Sequence, residues 1–109
     1  MPRFVKVAAA QMGPNNEGTS REEIVERMLA LMEQAVHEDV EIIAYPEMAL
    51  TTYFPKRIRD DYEQFFEHEV PPNALEPVLR RARERGVAVH VGFCEKAGSH
   101  HFNTALLTD

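Results

Sequence analysis

Apolar residues along this chain switch between two spacings, and the switches divide it into elements. Phe4-Val-Lys-Val-Ala-Ala-Ala-Gln11 is apolar with one charge, the pattern of a strand covered on both faces. Gly13-Pro14-Asn15-Asn16 interrupts it with turn residues. Ser20 followed by Glu23 carries the signature of a capping box. From there Ile24, Met28, Leu31, Met32 and Ala35 recur at helical spacing, with Glu22, Glu26, Glu33 and Glu38 largely opposite. This predicts an amphipathic helix of about five turns lying on one face of a sheet. Its end near Glu38-Asp39 has no glycine, so Asp39 is expected to take any left-handed cap geometry, which Asp tolerates. A second strand, Glu41 to Tyr45, follows directly.

Between Met48 and Pro72 the periodicity weakens. Tyr53, Phe54, Tyr62, Phe65 and Phe66 make an aromatic-rich excursion with helical turns expected in Asp60 to Glu67. So long a connection in a small domain reads as a functional or covering loop. Asn73 with Glu76 repeats the capping pattern, and Leu75, Val78, Leu79 and Ala82 form the stripe of a second helix. Gly86 ends that helix. Val87 to Phe93 is a third buried strand, Gly98-Ser-His-His101 a turn, and Asn103 to Thr108 a fourth strand antiparallel to the third. The order β-α-β-loop-α-β-β predicts an α/β fold with parallel neighbours, right-handed crossovers and a terminal hairpin. Sequence repeats are absent. A last strand with no following layer leaves an edge and a face uncovered, so residues 1–109 are expected to be the N-terminal part of a domain incomplete at its C-terminus.

Composition narrows the partners. The 109 residues are 44% hydrophobic and 28% charged, ordinary for a soluble globular domain. A net charge of −6 argues against nucleic-acid binding, and the most basic run, Arg80 to Arg85, contains an acid and reads as a solvated helix face. No apolar run is long enough to span a membrane, and no signal-type segment opens the chain. A single cysteine excludes an internal disulfide and fits a reducing cytoplasm.

Candidate chemistry converges on Glu47. Ile42 to Tyr45 is a short strand, Pro46 cannot donate to a ladder, and Glu47 follows in the first position free of the sheet. In open α/β sheets the crevice beyond the carboxyl ends of strands is the usual ligand site. A solvated loop glutamate is the competing reading. Cys94 ends a β run beside Glu95, which would raise its pKa, so it reads as a small core hydrophobe rather than a nucleophile. His90, His100 and His101 lack ligand spacing: adjacent histidines on a strand point to opposite faces, and no metal site is expected. His37 and His68 read as surface residues, and the Gly-Pro-Asn-Asn turn lacks the glycine pattern of dinucleotide sites.

The run Tyr45-Pro-Glu-Met-Ala-Leu-Thr-Thr-Tyr-Phe-Pro55 resembles the first catalytic motif of the nitrilase, or carbon–nitrogen hydrolase, superfamily, and most closely that of N-carbamoyl-D-amino-acid amidohydrolases. Ala10-Gln11, Gly92-Phe93 and Phe102-Asn103-Thr104 stand in register with the family's flanking strands. The resemblance implies an αββα sandwich and a Glu-Lys-Cys triad, of which only the glutamate, Glu47, falls in this sequence. The family's lysine and cysteine follow the fourth strand; neither Lys96 nor Cys94 stands in a matching motif. Asp39, where a glycine is common, and Lys56-Arg57, where Arg-Trp is frequent, depart from the pattern. Further implications are a small-molecule substrate (an N-carbamoyl amino acid or amide), a homo-oligomer, and neither metal nor organic cofactor. Glu47 would serve as general base in a setting enclosed by Tyr45, Tyr53 and Phe54, with Tyr53 and Phe54 touching substrate. Another amidase, nitrilase or β-carbamoyl-acid hydrolase of the superfamily is the nearest alternative. A non-enzymatic α/β binding domain is the other; a receiver-type version would need an acidic cluster where Gln11 stands.

Overall fold

The computed structural model describes residues 2–109. Four strands form one sheet in the order β1-β2-β3-β4: β1 Val7–Ala9, β2 Ile42–Ala44, β3 Ala88–Ala97 and β4 His100–Leu107. β1, β2 and β3 run parallel, and β4 returns antiparallel along β3. The crossovers carry helix α1, Arg21–His37, and helix α2, Glu76–Arg85. Two right-handed crossovers stepping in the same direction across a sheet deliver both helices to the same face. The packing agrees, since Met28, Met32, Leu75 and Val78 share one buried cluster with Ile43, Val89, Val91 and Phe93. Arg81 of α2 donates to Glu33 of α1 at 2.6 Å across the helix pair, and that contact holds the Glu33 carboxyl below its usual range.

Alternation along β3 separates the two faces. Val89, Val91 and Phe93 lie against the helices, while His90 on the other face is exposed. A cover on both faces, expected from the apolar first strand, is not what the described residues provide. Val7 is 65% and Leu107 66% exposed on the face away from the helices. β1 is also shorter than the apolar run: its register with β2 covers Val7–Ala9, flanked by the Lys6 carbonyl, which accepts from the Glu41 amide at 2.8 Å, and by the Ala10 amide, which donates to Ala44 O at 2.8 Å.

The helix boundaries follow local chemistry. Ser20 caps α1, accepting from the Glu23 amide at 3.2 Å. Past its end Asp39 takes φ +59°, the left-handed geometry its position demanded. Asn73 does not cap α2. It opens a 3-10 turn, Asn73–Leu75, that leads into the helix with no side-chain capping bond. The expected turns in the aromatic excursion appear as a 3-10 segment over Tyr62–Phe65, with another at Phe54–Lys56. β3 and β4 each extend beyond the predicted bounds, so His100 and His101 are in the strand rather than the turn. Pairing explains the extension: the hairpin is zipped in register from His90↔Leu107 to Ala97↔His100.

Gly86 ends α2 in the left-handed region, φ +69°, with its amide bonded back to Ala82 and Arg83. A Cβ there would meet no neighbour, so the cost of Gly86→Ala is backbone strain alone. A loss of about 1 kcal/mol is expected, read as a lower denaturant midpoint at unchanged slope.

Candidate functional site

The site is built where β2 leaves the sheet. Tyr45 still donates its amide to the His90 carbonyl at 2.8 Å, and Ala49 donates to the Gly92 carbonyl at 3.0 Å. Pro46, between them, has no N–H to give. Residues 46–48 therefore lift off the ladder and pass over Gly92. A Cβ on Gly92 would lie 3.1 Å from the Glu47 Cα and 3.4 Å from the Met48 nitrogen, so any side chain there would push the crossing backbone away by a few tenths of an ångström. Met48 completes it with φ +52°, a conformation that costs a non-glycine residue about 1–2 kcal/mol. The result is a fixed bend with Glu47 at its crest, on the face of the sheet away from the helices.

Glu47 is exposed and stands at the rim of two depressions. One, about 300 Å³, is walled by Met48, Tyr53, Phe54, Phe66, Cys94 and His101, with Asn103 as a further polar group. The other, about 190 Å³, lies between the bend and the turn after β1, reaching Met12, Asn15 and Thr51. Phe54 is buried and stacks on Phe65 with ring centroids 4.7 Å apart, and Phe66 meets it edge-on at 5.8 Å. Arg59 sits over the Phe65 ring at 5.0 Å and forms a forked pair with Asp61. That pair holds the Asp61 carboxyl down to about 2. The aromatic excursion is thus a cover. It continues the sheet edge where β2 has left it: Glu67 donates its amide to Cys94 O at 2.7 Å and accepts from the Lys96 amide at 2.8 Å.

The other titratable groups are occupied or suppressed. Cys94 is a buried free thiol. Burial pushes it above the ordinary thiol range, and the Glu67 and Glu47 carboxylates push it the same way. Glu95, its sequence neighbour, does not do this; its carboxylate accepts from Thr104 Oγ1 at 2.7 Å. Lys96 donates to Glu63 at 2.9 Å, and His101 Nε2 lies 2.9 Å from the second Glu63 oxygen. These contacts, Lys96 first, hold the Glu63 carboxyl below its usual range. His100 stacks on Phe102 and His90 is exposed, so the three strand histidines do not converge. Among the described residues no group of three or more His, Cys, Asp or Glu side chains is placed to hold a metal ion, and no helix is long and apolar enough to cross a membrane.

The family model for carbon–nitrogen hydrolases matches residues 6–109. The chain belongs to the carbon–nitrogen hydrolase family. Among solved structures, N-terminal amidase superposes with a TM-score of 0.76 at 21% identity, covering 96% of this chain and 25% of the amidase. The same amidase with a Gln-Val peptide gives 0.74 at 20% identity, again with 96% and 25% coverage. A glutamine-dependent NAD(+) synthetase from Cytophaga hutchinsonii gives 0.68 at 21% identity, covering 96% of this chain and 17% of the synthetase. At such identities the likeness is one of fold. This chain spans a quarter or less of the length of these structures. One helical layer on one sheet is the N-terminal part of that fold.

Of the three residues singled out in this member of the carbon–nitrogen hydrolase family, Glu47 and Tyr53 stand at the rim and Phe54 in the wall of one depression. Tyr53 is 60% exposed. Tyr45 does not enclose Glu47, contrary to expectation. It is 4% exposed on the helix side, where its hydroxyl donates to the Met28 carbonyl at 2.7 Å. Strand alternation puts consecutive residues on opposite faces, and Tyr45 takes the inner one. Other contributors went unseen in the sequence. Gly92 reads there as a strand residue, and Glu67 and Asn15 as loop residues, because their partners lie far along the chain. For Asn15, which donates to Ala49 O, the separation is 34 residues.

Two outcomes test this geometry. Gly92→Ala is expected to cost about 1–3 kcal/mol, because the incoming methyl must displace backbone; crosspeaks of residues 46–49 should move most in an amide correlation spectrum. Cys94 should alkylate with iodoacetamide far more slowly at pH 7 than an unfolded-state thiol. Its protonated form is the favoured one, so the rate should still be climbing at pH values where an ordinary thiol has levelled off.

Proposed function

We propose that this chain supplies the general base of a thiol amidohydrolase acting on N-carbamoyl amino acids, with Glu47 as that base. The observation that carries the reading is the placement of Glu47: a carboxylate at the crest of a constrained bend, opening on an apolar depression beyond the end of β2. Membership in the carbon–nitrogen hydrolase family supports the reaction class. Resemblance of the run from Tyr45 to Pro55 to the carbamoylase motif supports the substrate class.

In this proposal Glu47 takes the proton of a cysteine thiol contributed by sequence outside residues 1–109. The thiolate adds to the ureido carbonyl, and a lysine from the same region balances the oxyanion, a task worth about 3–4 kcal/mol. The carbon–nitrogen bond to the terminal amino group breaks, and ammonia leaves with the proton returned by Glu47. Glu47 then deprotonates a water, which adds to the acyl-enzyme; the carbon–sulfur bond breaks and the thiolate recovers a proton. The released carbamic acid loses carbon dioxide and leaves the free amino acid. Cys94 takes no part, being buried and held protonated. Tyr53 and Phe54 contact the substrate side chain, and the enzyme works as a cytoplasmic homo-oligomer.

In the complete hydrolase, Glu47→Gln should abolish release of ammonia from N-carbamoyl amino acids while thermal stability and oligomer size stay unchanged. Turnover near wild type in that variant sinks the assignment. A panel of N-carbamoyl-D- and L-amino acids, β-ureido acids, primary amides and nitriles decides the substrate class; preference for an amide or nitrile would overturn the carbamoyl reading while retaining Glu47. Residues 1–109 alone should show no hydrolysis.

A further inference from the structure

The bend that carries Glu47 is tied to helix α1 on both sides, through two adjacent helix residues. On its N-terminal side, the buried Tyr45 hydroxyl donates to the Met28 carbonyl at 2.7 Å. On its C-terminal side, Asn15 Nδ2 donates to Ala49 O at 2.9 Å and to Thr51 O at 3.3 Å. Asn15 is itself held by Arg27: Nη2 donates to its Oδ1 at 2.5 Å. The other terminal nitrogen, Nη1, donates to Met12 O at 3.2 Å and Pro14 O at 3.1 Å. Among the described residues Arg27 is in no ion pair with an acid. Its charge is directed at uncharged oxygens of the turn after β1.

These contacts divide labour in a way the sheet does not. Tyr45 N–H and Ala49 N–H pin the ends of the crossing to β3, but nothing in the ladder holds residues 46–48. Direction for the Glu47 side chain must then come from the flanks. One flank is Tyr45 on Met28; the other is the 49–51 backbone on Asn15. A guanidinium suits the second because its planar fork fixes three acceptors at once, orienting the Asn15 amide so that its NH₂, not its oxygen, faces Ala49. A lysine ammonium has no such plane.

We propose that Arg27 and Asn15 are positioning residues for Glu47, locking the turn after β1 to the backbone that follows it. The proposal rests on Glu47 being the general base. Neither residue needs to touch substrate, so loss of the lock should affect the chemical step rather than binding.

The test uses Arg27→Met, Arg27→Lys and Asn15→Ala in the complete hydrolase, each read by kinetics and by amide hydrogen exchange resolved to residues 45–52. Arg27→Met should lower kcat by roughly 10- to 100-fold, the scale of a misplaced catalytic group, while KM stays within about threefold. Arg27→Lys should not restore kcat. Exchange at Ala49 and Leu50 should quicken selectively, with Val89 and Val91 unchanged. Asn15→Ala, which removes no charge, should reproduce both effects, and the double variant Arg27→Met with Asn15→Ala should be no worse than either single change. If Arg27→Met fails to fold, Asn15→Ala decides alone. A kcat within twofold of wild type in Asn15→Ala, a rise in KM at constant kcat, or exchange that quickens equally through β3 overturns the proposal. Should Glu47→Gln retain turnover, the general-base reading fails instead, and the exchange data still report whether Arg27 holds the bend.

Discussion

The crossing of Pro46, Glu47 and Met48 over Gly92 is the constraint on which the rest of the site depends. Two backbones at that separation leave little room for a Cβ on the lower one, 3.1 Å from the Glu47 Cα. The upper one must shed its ladder bonds to rise, and proline has none to lose. The cost of the left-handed Met48 is borne because both ends of the crossing are anchored, at His90 through Tyr45 and at Gly92 through Ala49. A carboxylate at the crest is thus held by backbone geometry, with no salt bridge to it among the described residues.

Around this bend the molecule is asymmetric by necessity. Parallel strands connected by right-handed crossovers send both helices to one side, so the core forms there and the opposite face is left without a helical layer among the described residues. The aromatic excursion then walls that face near Glu47. Its stacked Phe54–Phe65 pair and its Glu67 backbone bonds seal the edge that β2 vacates. One consequence falls on Cys94, whose burial, with the Glu67 and Glu47 carboxylates acting the same way, holds its thiol above the ordinary range. The only cysteine in the chain is therefore buried by the same packing that shapes the depression beside it.

Much of the architecture was legible from local chemistry. Spacing of apolar residues located both helices and all four strands, Ser20 and Gly86 marked helix ends, and Asp39 took the cap conformation anticipated for it. Errors came where a partner, rather than the residue itself, decides. Asn73 has the right chemistry for a cap, yet a 3-10 turn precedes the helix and its side chain caps nothing. The first strand is cut short because pairing with β2 stops, although its apolar run continues. Tyr45 looked like a wall of the site because it adjoins Glu47, but alternation turned it inward to α1.

By itself the sequence determined the order of elements, the strand-stopping proline and the carboxylate behind it, since each depends on residues within a few positions of one another. Only tertiary structure decided which face of the sheet Glu47 occupies, that Gly92 makes its crossing feasible, and that Arg27 and Asn15 reach the far side of the bend. Those facts depend on groups 12 to 45 residues apart along the chain. Hydrogen bonds and steric contact act over a few ångströms of space, and sequence spacing carries no record of who will be within that range once the sheet has closed.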